Sequence, residues 1–328
     1  MITTRTPFRM SFLGGGTDFP AYFNEYGGCV LSATFNKYSY VTVRRLPALF
    51  EYKNQFTYSK IERFNSPDEL SHPLVREALK YLDIDRIQIA YDADLPARSG
   101  IGSSSSFAVG LLNELHILKG ERLSKMELAK EAIYLERVLC NEAGGIQDQL
   151  AVAFGGLNKI SFDSESYKVN PIEISFKRKE EFNRNLLLVF TGFSHFSGEV
   201  AVTQQNNIPL KLAELHEMKS LVDEGEKILS SETTLDEFGR LLDYTWRLKR
   251  TLSDKISTKE IDEIYARAKK AGALGGKILG AGSGGFMLLY VPEDRRQNVA
   301  DLFEPSKIIP FEFENDGTKL IYGGGDNI

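Results

Sequence analysis

Leu95-Pro-Ala-Arg-Ser-Gly-Ile-Gly-Ser-Ser-Ser-Ser106 places two glycines and four consecutive serines between two apolar stretches. The first stretch, Arg86-Ile-Gln-Ile-Ala-Tyr-Asp92, reads as a strand, and the second reads as a helix from Phe107 to Leu118. Serines fill helices poorly but start them well, because hydroxyls can cap the free N–H groups of a first turn. Glycines ahead of them let backbone N–H groups come close to a ligand and form a concave anion site. The combination points to a phosphate cradle at a helix N-terminus. An ordinary capped loop would use the same residues, so the rest of the chain has to decide. Two other phosphate loops are excluded. A Walker loop needs Lys followed by Ser or Thr, whereas Lys277 is followed by Ile278. A Rossmann fingerprint needs a third glycine where this chain has Ser105.

Composition is that of an ordinary globular protein. The 328 residues are 42% hydrophobic and 26% charged, enough for one large or two medium domains. A net charge of -5 and the absence of a long basic run argue against a nucleic-acid surface. Cys29 and Cys140 are too few for a disulfide scaffold and have no metal-ligating spacing. No apolar run has signal-peptide or membrane-spanning length. A cytoplasmic protein without membrane or nucleic-acid partners is expected.

Along the chain, residues 29–35 and 38–43 read as two strands joined by a turn at Asn36-Lys37. A helix is expected near residues 72–82. Ser124 and Glu127 form a capping box for another that runs to about Cys140. A short helix from Ile146 to Phe154 stops at Gly155-Gly156. The second half opens on the strand Leu186–Phe190 and is then mostly helical, with a last helix over Lys259–Ala271 and a strand over Phe286–Val291. Strands and helices occur in both halves, so the fold class is α+β in two lobes. The boundary falls in the charged stretch between Ser175 and Asn185, giving domains 1–180 and 181–328.

Four segments carry chemistry. Pro7-Phe-Arg-Met-Ser-Phe-Leu-Gly-Gly-Gly-Thr-Asp18 delivers Arg9, three glycines and a carboxylate. The glycine-serine loop is the second. Glu136 ahead of Gly144-Gly-Ile-Gln-Asp-Gln149 is the third, and Lys277-Ile-Leu-Gly-Ala-Gly-Ser-Gly-Gly285 is the fourth. Together they resemble the GHMP small-molecule kinases, whose three motifs occur here in order across nearly the whole chain. The resemblance implies an N-terminal mixed-sheet ATP-binding domain and a ferredoxin-like C-terminal α/β domain. It also implies ATP-dependent phosphoryl transfer to a hydroxyl of a small metabolite, with ATP and Mg²⁺ bound. Gly100, Ile101, Gly102, Ser103, Ser104 and Ser105 would then hold the ATP phosphates. Ser104 and Glu136 resemble the family's magnesium ligands. Asp148 resembles the catalytic aspartate that takes the hydroxyl proton, and Arg9 the cation that steadies it.

The acceptor follows from Gly16, Thr17 and Asp18, which stand where sugar kinases grip sugar hydroxyls. Galactokinases read Gly-Glu-His-Thr-Asp there, and this chain replaces the glutamate and histidine with Gly15 and Gly16. That form resembles the heptose-phosphate kinases, which act on the anomeric hydroxyl of a seven-carbon sugar phosphate, and the kinase portion of L-fucokinases. The substrate's own phosphate needs a second cation site, for which Arg44, Arg45, Lys53 and Arg98 qualify by type. The expected partners are ATP and a sugar phosphate, with the protein a monomer or homodimer. L-fucose 1-kinase or galactokinase-like activity and a non-catalytic sugar-binding sensor are the alternatives.

Overall fold

The computed structural model describes residues 1–192 and 197–323. The first half runs β1 (Ile2–Leu13), α1 (Pro20–Tyr26), β2 (Gly28–Arg45), β3 (Asn54–Thr57), β4 (Ile61–Phe64), α2 (Pro73–Leu82) and β5 (Ile87–Ala93). It continues through α3 (Ser103–Leu118), α4 (Lys125–Tyr134), α5 (Gln147–Phe154), β6 (Leu157–Phe162) and β7 (Tyr167–Pro171). The second half runs α6 (Phe176–Arg184), β8 (Leu186–Phe190), α7 (Ser197–Asn207), α8 (Leu212–Ser230), α9 (Asp236–Arg250) and α10 (Lys259–Ala271). It closes with β9 (Gly275–Ile278), β10 (Phe286–Tyr290), α11 (Arg296–Ala300), β11 (Ile308–Ile309), β12 (Phe313–Glu314) and β13 (Lys319–Gly323).

Two sheets result. A nine-stranded mixed sheet is built on β1, β2 and β5, with β3 parallel to β5 and the other pairs antiparallel. A four-stranded antiparallel sheet has the order β11-β8-β10-β9. The two meet through a shared core. Phe12 on β1 packs at 5.5 Å from Phe182 and 5.7 Å from Phe238, all fully buried. Burying a ring of this kind contributes on the order of 2–3 kcal/mol and fixes how the two sheets face each other.

Two expectations need correction. Residues 29–35 and 38–43 are not a hairpin but one strand, β2. The register jumps from Pro7↔Tyr38 to Phe8↔Phe35, so Asn36 and Lys37 form a bulge opposite a proline that lacks the N–H a regular ladder requires. The bulge is held from the other side, where Asn36 N–H donates to Glu312 O at 2.9 Å and Asn36 Oδ1 accepts from Glu312 N–H. Second, α3 starts at Ser103 rather than Phe107, with Gly102 in the left-handed region as its cap and no serine hydroxyl capping it. The stretch between Ser175 and Asn185, where the domain boundary is expected, is the helix α6, capped by Ser175. The expected division at residue 180 falls inside it. The strands β12 and β13 pair with β2 and β1, so both join the nine-stranded sheet.

Other local signals are present as read. Ser124 and Glu127 close a reciprocal capping box on α4, and α5 ends at Gly155. Residues 135–139 continue α4 as a π-helical turn, which brings Glu136 inward.

A histidine clip ties α3 to α4. His116 is within 2.6 Å of Glu121 through Nδ1 and 2.7 Å of Glu131 through Nε2. The Glu131 contact, opposed by burial and aided by Glu121, raises its pKa above the ordinary 6.5. Because the folded value is the higher one, this stabilisation is complete below pH 6.5 and fades as pH rises through the folded value. The Tm difference between wild type and His116→Gln should therefore be largest near pH 6 and shrink as the solution becomes alkaline. Thermal scans across pH 6 to 9 measure it, and a constant difference would remove the clip.

Candidate active site

The glycine-serine loop folds tightly because of its neighbours. Gly100 and Gly102 have φ of 83° and 73°. A side chain on Gly100 would overlap the carbonyl of Leu279. The loop also accepts Phe286 N–H on Ser99 O at 3.1 Å. The late glycine turn is thus the buttress of the serine loop, and its Gly280 and Ala281 help to line the same cavity. Within α3, Ser106 N–H makes the first helical bond, to Gly102 O. The N–H groups of Ser103, Ser104 and Ser105 precede it and belong to the open first turn. Ile101 differs from its loop partners: its side chain is in the core and its carbonyl accepts Arg9 N–H at 3.0 Å.

The serine hydroxyls point to Glu136. Ser104 and Ser105 each donate to its carboxylate at 2.7 Å, and Gln149 Nε2 donates at 2.5 Å. Glu136 is 1% exposed. Among the described residues no group of three His, Cys, Asp or Glu side chains is arranged for a metal. Glu136 and Ser104 still supply adjacent hard oxygens, which suit a Mg²⁺ completed by phosphate and water.

Beside them stands the charged pair. Arg9 Nε and Nη2 each donate to Asp148 at 2.7 Å, and Nη1 donates to Gly100 O at 2.6 Å. The strand β1 brings Arg9, the first turn of α5 brings Asp148, and both touch the loop. A bidentate pair fixes the carboxylate plane as well as its distance.

Asp18 is set by Gly16 N–H at 2.9 Å and Gln147 Nε2 at 2.9 Å. A side chain on Gly145 would overlap its carboxylate, which accounts for that glycine. Gly16 and Asp18 line the cavity. Thr17 does not. Its hydroxyl lies 2.8 Å from Gly14 O and 2.9 Å from Cys29 O, and it accepts from Cys29 N–H at 3.0 Å. It pins the turn instead of meeting a ligand.

The serine loop, Glu136, the Arg9–Asp148 pair and the Asp18–Gln147 pair surround one cavity of about 570 Å³. Tyr58, His72, Tyr91 and Phe107 form an aromatic wall at the loop's side, with Tyr91 and Phe107 4.5 Å apart. Burial lowers the His72 pKa, so its ring is neutral there. Of the basic residues offered for a substrate phosphate, Arg98 lines the cavity. Arg44 and Arg45 are spent elsewhere, on Gln88 and on Asp85 O, and Lys53 is also outside it.

Two further cavity groups escaped the sequence reading, Gln147 and Lys249. Lys249 donates to Gly280 O at 2.7 Å, and burial, partly offset by Asp18, pushes its pKa down to about 8. It sits among charges at a helix end, which reads as solvated surface. The signal was its spacing: Phe238, Leu241, Leu242, Thr245 and Trp246 are the buried stripe of α9, and Lys249 is next on it. Lys277 is buried too, but its amine donates to Phe12 O at 3.0 Å, outside the cavity.

Comparison with known proteins gives the same picture. Residues 73–156 match the GHMP kinases N terminal domain and residues 227–303 the GHMP kinases C terminal domain. A D-glycero-alpha-D-manno-heptose 7-phosphate kinase of Campylobacter jejuni is 29% identical over 97% of this chain and 98% of its own. A bifunctional fucokinase/GDP-fucose pyrophosphorylase of Arabidopsis thaliana is 27% identical over 88% of this chain and 29% of its own. Among solved structures, a D-glycero-D-manno-heptose 1-phosphate kinase from Bacteroides thetaiotaomicron superposes with a TM-score of 0.81. It is 24% identical and covers 99% of this chain and all of its own.

Proposed function

The chain belongs to the GHMP kinases, and on that premise we propose that it transfers the γ-phosphoryl group of ATP to the anomeric hydroxyl of D-glycero-D-manno-heptose 7-phosphate. The product is the 1,7-bisphosphate used for nucleotide-activated heptose synthesis. The observation that carries this reading is the convergence, in one cavity, of the serine loop, the Arg9–Asp148 pair and the Asp18–Gln147 pair.

The residues divide the work. N–H groups of the loop from Gly100 to Ser105 hold ATP phosphates at the start of α3. The aromatic wall offers its faces to the base. Asp18 and Gly16 hold acceptor hydroxyls. Asp148 takes the proton of the attacking hydroxyl as its oxygen bonds to phosphorus and the bond from phosphorus to the ADP oxygen breaks. Arg9 keeps Asp148 in place and offsets charge on the transferring group. Ser104 and Glu136 would hold Mg²⁺, whose charge would neutralise the phosphates. A non-catalytic sensor would have no use for a carboxylate clamped by two bonds beside the phosphate loop.

The enzyme is proposed to act in the cytoplasm as a monomer or homodimer. Among the described residues no helix is long and apolar enough to cross a membrane. An assay of ADP release with Mg-ATP and heptose 7-phosphate, L-fucose or galactose tests the substrate. Heptose 7-phosphate should have a kcat/KM at least about tenfold above the others. The Arabidopsis relative makes L-fucose the rival, and its faster turnover would replace the proposed acceptor.

A further inference from the structure

Gly15 marks a small space with unusual walls. The position a Cβ would take on this residue is 3.7 Å from Lys249 Nζ, 3.8 Å from Gln147 Nε2 and 3.8 Å from Ser11 Oγ. All four residues line the cavity. The three polar side chains belong to residues only 5%, 8% and 4% exposed, in the order Lys249, Gln147, Ser11. Two atoms, Ser11 Oγ and Gln147 Oε1, are buried and find no partner among the described residues. Orphaned buried polar atoms of this kind cost stability, and Ser11 Oγ at this point, with Gln147 Oε1 on the neighbouring amide, implies a group that arrives from outside.

The chemistry of that group follows from the donors and acceptors. Gln147 donates its amide N–H to Asp18, which turns Oε1 into an acceptor that needs a donor. Lys249 is a donor that spends one N–H on Gly280 O. The visiting group must therefore both give and receive a hydrogen bond. Charge points the same way, because Arg9 and Lys249 are already balanced by Asp18 and Asp148. A neutral sugar hydroxyl fits both conditions.

We propose that Lys249, Gln147 and Ser11 form a hydroxyl-binding niche in the space left by Gly15, and that Lys249 is a specificity-determining residue for the acceptor. The niche rests on the kinase reading above and adds a contact from the second half of the chain to the acceptor end. It also gives the glycine at this position a function: a larger side chain would fill the seat.

The test measures acceptor binding by calorimetry and KM in the ADP assay, using wild type, Lys249→Met and Gly15→Ala. Both variants should raise the acceptor Kd and KM about tenfold and leave the ATP KM within about twofold. Gly15→Ala keeps every polar group and places its methyl at ordinary contact distance, so it stays folded if Lys249→Met does not. A series of singly deoxygenated acceptors supplies the decisive comparison. One of them should bind wild type about tenfold more weakly, with that penalty absent in Lys249→Met. Unchanged acceptor binding in both variants would overturn the niche. So would a Lys249→Met defect seen with the phosphorylated acceptor and not with the phosphate-free sugar, because the seat would then take phosphate. If wild type binds and turns over a different sugar, the heptose assignment fails while the same comparison with that sugar still decides the niche.

Discussion

Replacing Asp148 with Asn should lower kcat about a thousandfold while ATP affinity stays within a few-fold. General-base assistance is worth about 10²–10⁴ in rate, and the loss here goes beyond the missing base. Arg9 presents two N–H groups to Asp148, and an amide can answer only one of them with oxygen. The other meets an N–H, so the guanidinium turns away and the carboxamide loses its alignment. Arg9 is buried, which adds a folding cost of about 2–3 kcal/mol for a charge that has lost its partner. Saturating kinetics, ATP calorimetry and a thermal scan separate these effects. Turnover that survives the substitution would take Asp148 out of the chemistry.

The second large effect is expected at Glu136. Its carboxylate gathers Ser104, Ser105 and Gln149 from two helices beside the glycine-serine loop. Glu136→Gln keeps the shape but puts an N–H group in place of one of the two oxygens that accept from these neighbours. One serine must turn, and the charge that would help hold Mg²⁺ is gone. We expect kcat to fall about a hundredfold and the Mg²⁺ concentration for half-maximal rate to rise about tenfold. Titrating Mg²⁺ at fixed ATP measures both. An unaltered Mg²⁺ requirement would leave Glu136 as the serines' structural anchor and nothing more.

What could be read from the sequence was local. Gly155-Gly156 had to stop α5, Ser124 with Glu127 had to start α4, and the glycines before Ser103 had to bring backbone close to something. Arg9, Asp18, Glu136 and Asp148 were also identified in advance, and they do line one cavity. The misreadings share a cause in long-range structure. Asn36-Lys37 is good turn material that became a bulge because Pro7 lies opposite and Glu312, far away in sequence, pairs with it. The hydroxyls of Ser104 and Ser105 serve Glu136 instead of their own helix because a π-turn carries that carboxylate inward. Thr17 is polar and next to Asp18, yet a neighbouring strand claims its hydroxyl. Lys249 is a charged residue on an apolar stripe, and only the packing of α9 against the cavity reveals what it faces.

The pairing of β13 with β1 reaches beyond architecture, into the timing of assembly. Ile2 lies opposite Gly323, so the strand that carries Arg9 completes its hydrogen bonds only with residues made long after it. A ribosome emits roughly 5–20 residues per second, which leaves β1 with an unzipped edge for most of synthesis. Such an edge is a docking place for stray strands until the tail arrives. Closing a loop of nearly the whole chain is also the slow, high-contact-order step of folding. The strand that carries Arg9 is therefore complete only once β13 has been made, and a chain cut short before Lys319 would emerge with that strand still open at one side.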